Sequence, residues 1–169
     1  ESIPNEVSEK ELEGRRDLTN EVIFTIDGDD TKDIDDAISI KKLDNGNYEL
    51  GVHIADVSNY VKPNTALGDA AYERGTSSYL ADTVIPMIPH KLSNGICSLN
   101  EGVIRLTMSC VMEINEKGKV VDYDIFTSYI KSRKKMTYKK VNDVICRGIV
   151  APGYEEYADK LHLMNELSK

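Results

Sequence analysis

Between Thr25 and Ala37 the chain carries six aspartates: Asp27, Asp29, Asp30, Asp33, Asp35 and Asp36. Carboxylates packed this densely repel one another. Two like charges ~4 Å apart cost about 4 kcal/mol at an effective dielectric of ~20. Solvent spreads such groups apart unless a hard divalent cation gathers them, and Mg²⁺ suits carboxylates together with waters and substrate phosphates. In an extended backbone Asp33 and Asp35 share one face and Asp36 takes the other. Gly28 permits the tight turn that brings Asp27 back beside them. Two other readings fit the same residues, a solvated acidic turn between strands and a calcium loop. The EF-hand pattern fails, because Lys32 stands where its glycine belongs and Ile38 where its closing glutamate belongs.

The acidic stretch must be held by the elements around it. Val22–Ile26 reads as a first strand and Ala37–Leu43 as a second, with Ile38 and Ile40 on one face. Asp44-Asn45-Gly46 is a hairpin turn, because Asn-Gly tolerates the positive φ that tight turns require. Asn47–Ala55 alternates as a third strand, Tyr48, Leu50, Val52 and Ile54 against Asn47, Glu49, Gly51 and His53. Arg105–Ile114 places Leu106, Met108, Cys110, Met112 and Ile114 on one face and Arg105, Thr107 and Ser109 on the other. A turn at Asn115–Gly118 leads to a strand from Lys119 to about Ile130. Helices are expected at Glu9–Glu13 behind a Ser8 cap, from an Asn64 cap to a Gly75 stop, and behind a Thr137 cap. A last amphipathic helix carries Tyr154, Tyr157, Leu161 and Met164. Ser77–Asn100 reads as a long ordered connection, and such loops are often functional. The expected class is α+β, a largely antiparallel β-sheet with packed helices, with residues 1–20 as a lead-in segment and 21–169 as the domain.

Lys plus Arg number 21 against 29 Asp plus Glu, a net charge of −8. That is the opposite of the usual basic footprint of a nucleic-acid binder. The charge is unevenly spread, however, with Lys131, Arg133, Lys134, Lys135, Lys139 and Lys140 clustered late in the chain. Such a map fits a metal pocket beside a phosphate track, and it fits a plain solvated surface as well. Cys97, Cys110 and Cys146 have no metal-ligand spacing and read as small hydrophobes in a reducing compartment. No stretch of ~18 apolar residues is present to span a membrane as a helix. The first residues lack the pattern of a secretory signal. The chain starts at Glu1, not Met, as expected of a processed or excised piece.

Asp27-x5-Asp33-x-Asp35-Asp36-Ala37 resembles the signature of the ribonuclease II and ribonuclease R family of exoribonucleases. Five further blocks match in order: Val52–Ser58, Tyr72–Tyr79, Ile85–Pro89, Leu92–Asn100 and Ser132–Tyr138. The resemblance runs from about Arg15 to about Val144 and is closest to the ribonuclease R branch. It implies an RNB-type catalytic domain, of which this chain is the N-terminal part. It implies hydrolytic 3′-to-5′ exoribonuclease activity that is Mg²⁺-dependent, with Mn²⁺ as a possible substitute. Such enzymes act on single-stranded RNA and release nucleoside 5′-monophosphates in the cytoplasm, with no DNA and no membrane partner expected.

Residue by residue, Asp27, Asp33, Asp35 and Asp36 match the family's catalytic, metal-binding aspartates. Tyr79 matches a tyrosine that stacks on a base, and Tyr138 a second tyrosine near the scissile phosphate or the 3′-terminal nucleotide. Without the resemblance Tyr79 reads as a core residue, and Tyr138 as a helix-face core residue with Val141 and Val144. His53 and Asp56 form a His-Ile-Ala-Asp pair that invites an acid–base reading; a structural role is preferred, because metal ions generate the nucleophile on their own. Arg105 reads as a phosphate contact or a surface ion pair. The family's basic residue that assists cleavage, its second aromatic clamp and its flanking cold-shock and S1 barrels have no counterpart in this sequence. Three functions therefore compete: a piece of an exoribonuclease, a non-catalytic RNA- or metal-binding fragment of one, and an acidic domain whose aspartate loop is merely exposed.

Overall fold

A computed structural model describes residues 3–169. Among them, one mixed sheet dominates. Its strands are β1 (Arg16–Asp17), β2 (Phe24–Asp27), β3 (Asp36–Lys42), β4 (Tyr48–Ala55), β7 (Ile104–Ile114), β8 (Val120–Lys131) and β9 (Lys134–Thr137), in the order β1-β8-β7-β4-β3-β2-β9. A separate small hairpin is made by β5 (Ser78–Tyr79) and β6 (Val84–Ile85). The central four strands are antiparallel, two hairpins with their turns at Asn-Gly and Glu-Lys-Gly that pair side by side through β4 and β7. Both edges are parallel, β1 on β8 and β9 on β2. No sequence turn marks either edge, since parallel neighbours are joined by long crossovers.

The lead-in segment is built into this sheet. After α1 (Glu9–Leu12), whose Ser8 and Glu11 form a capping box, Arg15 reaches Asp56 at 2.6 Å and β1 joins the edge. The Ser77–Asn100 connection carries the β5–β6 hairpin and a wide helical turn at Leu92–Ile96. Thr65, not Asn64, caps α2 (Ala66–Arg74), its hydroxyl accepting from the Gly68 amide at 3.1 Å. Asn64 instead takes the positive φ of the preceding turn.

Two apolar clusters hold the site end of the sheet. On one face Phe24 and Met136 pack under α3 (Tyr138–Asn142) and α4 (Ala158–Leu167) through Val141, Val144, Tyr154 and Leu161. On the other, Ile23, Ile34, Ala37, Ala55, Leu99 and Ile130 pack together. The β7 alternation is as expected, but its burial is not. Arg105, Thr107 and Ser109 are buried, whereas Met108 on the apolar face is exposed. Arg105 is thus neither a phosphate contact nor a surface ion pair here. Its Nε donates to the Ser98 carbonyl at 2.9 Å and one terminal nitrogen to the Ile104 carbonyl at 3.0 Å. A buried guanidinium is tolerated when backbone acceptors satisfy it.

Candidate active site

Loop 28–35 links β2 to β3, and Ile34 decides its shape. Ile34 is fully buried, and burying such a side chain contributes about 1.5–3 kcal/mol. With Ile34 turned into the core, the flanking Asp33 and Asp35 are both turned outward, and both are exposed. Ser98 fixes the plug. Its hydroxyl accepts from the Ile34 amide at 3.1 Å and donates to the Lys32 carbonyl at 2.8 Å. The Leu99 amide donates to the Ile34 carbonyl at 2.9 Å, and the Ala55 amide to the Asp35 carbonyl at 2.8 Å. Asp27 closes β2, in register with Thr137, and Asp36 opens β3, in register with Ile54.

The four aspartates are coupled. Burial pushes the Asp27 carboxyl above its ordinary value, and the charges of Asp36 and Asp33 push the same way against the opposing pull of Lys135. Although Asp35 is exposed at the surface, partial desolvation of its carboxyl raises it, helped by Asp33, Asp36 and Asp27. Asp27 Oδ2 is buried without a hydrogen-bond partner, an arrangement that costs folding free energy in the absence of a countercharge. Among the described residues no three His, Cys, Asp or Glu side chains converge closely enough to form a ligand shell by themselves. The carboxylates are nonetheless close enough for their charges to act on Asp27 and Asp35. A carboxylate set with an orphaned buried oxygen fits a hard divalent cation. Asp29 and Asp30 are exposed loop residues.

Asp33 and Asp35 open onto a cleft of about 370 Å³ shared with Ile54, Val57, Ser77, Tyr79 and Met87. Tyr79, in the β5–β6 hairpin, is 73% exposed, and Tyr138, at the start of α3 directly after Thr137, is 64% exposed. Neither ring is core, and both are open to solvent. The structure places Tyr79 in the cleft of Asp33 and Asp35, and Tyr138 beside the strand end that carries Asp27.

His53 and Asp56 point elsewhere. His53 is buried, its Nδ1 2.7 Å from Ser109 Oγ and its Nε2 3.1 Å from Ser39 Oγ. Burial lowers its pKa to about 4, so the ring is neutral. The hydrogen bonds continue from Ser109 to Ser128 at 2.6 Å and from Ser128 to Thr107 at 2.7 Å. Gly51 makes room for the bridge, since a Cβ there would overlap Ser39 Oγ and His53 Nε2. Burial works to raise the Asp56 carboxyl, but hydrogen bonds from Ser58 and Arg15 hold it below its ordinary value. Both residues are therefore structural. Sequence reasoning placed Lys135 only in a basic cluster, yet its ammonium donates to the Thr31 carbonyl within the aspartate loop. The available signal was its place next to Met136-Thr137-Tyr138.

The RNB domain matches residues 15–169 of this chain. The chain is 55% identical over 168 residues to ribonuclease R 1 of Lactococcus lactis and 56% identical over 168 residues to ribonuclease R of Thermotoga maritima. Each alignment covers 99% of this chain but only 21% and 24% of those proteins, so the chain spans less than a quarter of their length. Among solved structures, Mycoplasma genitalium RNase R in complex with double-stranded RNA superposes with a TM-score of 0.89 at 30% identity. That superposition covers 96% of this chain and 29% of the other.

Proposed function

The chain belongs to the RNB-domain family, and from that premise we propose that it is the N-terminal part of the catalytic domain of a Mg²⁺-dependent 3′-to-5′ exoribonuclease. The whole protein would act on single-stranded RNA in the cytoplasm and release nucleoside 5′-monophosphates. The observation that carries this reading is the buried, partnerless Asp27 Oδ2 within a set of mutually repelling aspartates. A solvated turn would let these groups hydrate and separate. A structurally similar Mycoplasma genitalium RNase R in complex with ribose-methylated single-stranded RNA supports the substrate class. Free thiols at Cys97, Cys110 and Cys146 suit a reducing compartment.

Asp27, Asp33, Asp35 and Asp36 would hold the cation. When bound, Mg²⁺ neutralises phosphate charge and acidifies water. The chain's own groups do the positioning. Ile34 and Ser98 aim Asp33 and Asp35 into the cleft. Tyr79 offers a ring to a base there, a contact that is sequence-tolerant because every base has a π-face. Tyr138 stands over the Asp27 strand end, where the 3′-terminal nucleotide would lie.

The test is hydrolysis of end-labelled single-stranded RNA by the full-length protein, with and without Mg²⁺. Stepwise loss from a free 3′ end, blocked by a 3′ modification, yielding 5′-monophosphates only with metal, is the expected result. Endonucleolytic fragments or metal-independent cleavage would overturn it. A second reading is favoured by the lack of a preformed ligand shell and by the small share of the relatives covered: the 169 residues alone bind RNA or metal without turnover. The same assay on this chain alone should then show little or no cleavage.

A further inference from the structure

Lys135 stands on β9 opposite Thr25, two residues before Thr137, the register partner of Asp27. Met136 between them is buried on the helix-covered face, so Lys135 shares the opposite face with Asp27. From there its ammonium crosses to the Thr31 carbonyl, midway along loop 28–35. Its own backbone is tied down in turn, the Lys135 amide donating to Glu101 Oε2 at 2.8 Å. The rest of the loop has different anchors. Ser98 and Leu99 hold Lys32 and Ile34, while the turn that leaves Asp27 relies on one long backbone bond, Thr31 amide to Gly28 carbonyl at 3.3 Å. A half-buried lysine fixed on a backbone carbonyl gives up the rotamer freedom that surface lysines keep.

We propose that Lys135 is a positioning residue that locks the turn after Asp27, setting Asp27 relative to Asp33 and Asp35. The proposal rests on reading those aspartates as the site. It opposes a simpler role for the charge. If Lys135 merely neutralised carboxylates, removing it would strengthen their attraction for an added cation. If it orders the loop, removing it weakens cation binding, because scattered ligands must be gathered first.

The experiment uses the full-length protein. In Lys135→Met, hydrogen–deuterium exchange at the Thr31 amide should quicken about tenfold, the scale of one charge-assisted hydrogen bond. Exchange in β3, β4 and β7 should stay as it was, and Lys135→Arg should restore protection. Mn²⁺ titration should give about tenfold weaker binding in Lys135→Met. Unchanged exchange at Thr31, or tighter Mn²⁺ binding, would overturn the proposal. Should Lys135→Met fail to fold, Lys135→Gln, which keeps a polar tip but lacks the reach and the charge, is read by the same two measurements. A wild-type chain that binds no Mn²⁺ at all would count against the four-aspartate site, while the exchange measurement would still decide what Lys135 does.

Discussion

His53 and Asp35 are fastened to the same pair of strands. His53 pairs with Ala37 across β3 and β4, and the Ala55 amide at the end of β4 holds the Asp35 carbonyl. Around His53 the polar groups close on one another, Ser39, Ser109, Ser128 and Thr107 each finding a partner in the interior. Around Asp35, burial and the neighbouring carboxylates raise the pKa of Asp35 and of Asp27, and Asp27 keeps an orphaned oxygen. Both clusters contain residues with catalytic credentials. The satisfied one has no capacity left for a ligand, and the unsatisfied one does. Satisfaction of hydrogen-bonding capacity, not residue type, separates the structural cluster from the candidate active one.

The sharpest break in that contrast comes from Asp35→Asn in the full-length protein. Removing one charge at constant shape should cost several kcal/mol of transition-state stabilisation, on the order of a thousandfold in rate. RNA affinity, carried by phosphate contacts and stacking, should hold or rise. End-labelled RNA cleavage and filter binding check both. A rate within a factor of a few of wild type would make Asp35 structural.

Next in size is the closed cluster. The folded pKa of His53 is about 4, below its ordinary 6.5, so the unfolded chain takes up the proton first as pH falls. The contribution is fully present above pH 6.5 and is lost on descending toward pH 4, a span worth about 3 kcal/mol. Urea unfolding of the chain between these pH values should show that loss, and His53→Asn should flatten it. Mn²⁺ binding by His53→Asn should match wild type if the two clusters are independent.

Tyr79→Ala in the full-length protein should weaken RNA binding by about 2 kcal/mol, the scale of one stacked base. The melting temperature should stay unchanged, because the ring is exposed. A fall in melting temperature with unchanged affinity would return Tyr79 to a packing role.

The smallest effect has an unusual sign. Asp27→Asn removes a repelled, partly buried charge and should stabilise the metal-free chain by less than about 1 kcal/mol at neutral pH, because solvent screens much of the repulsion. Because the folded pKa of Asp27 is raised, its ionisation opposes folding increasingly as pH climbs above the ordinary carboxylate range and leaves stability untouched well below it. The gain should therefore vanish in acid. Mg²⁺ should raise the melting temperature of wild type and leave that of Asp27→Asn nearly unmoved.

Much of this was legible in the residues alone. The period-2 alternation of β4 and β7, the Asn45-Gly46 turn and the Thr137 cap are local signals, and local sterics and hydrogen bonds enforce them wherever the chain goes. The aspartate spacing is local too, since Ile34 needs only a core to turn into for Asp33 and Asp35 to face out together. What the tertiary structure decided is which neighbour each element meets. Lys134–Thr137 is too short and too charged to announce a strand, and it becomes one because β2, more than a hundred residues earlier, offers an unpaired edge. The burial of Arg105, Thr107 and Ser109 was likewise invisible. Alternation tells two faces apart, but which face is covered depends on where a distant segment packs. The reach of Lys135 to Thr31 is of the same kind. It depends on a parallel register that no turn encodes and that only the packing of the two edge strands supplies.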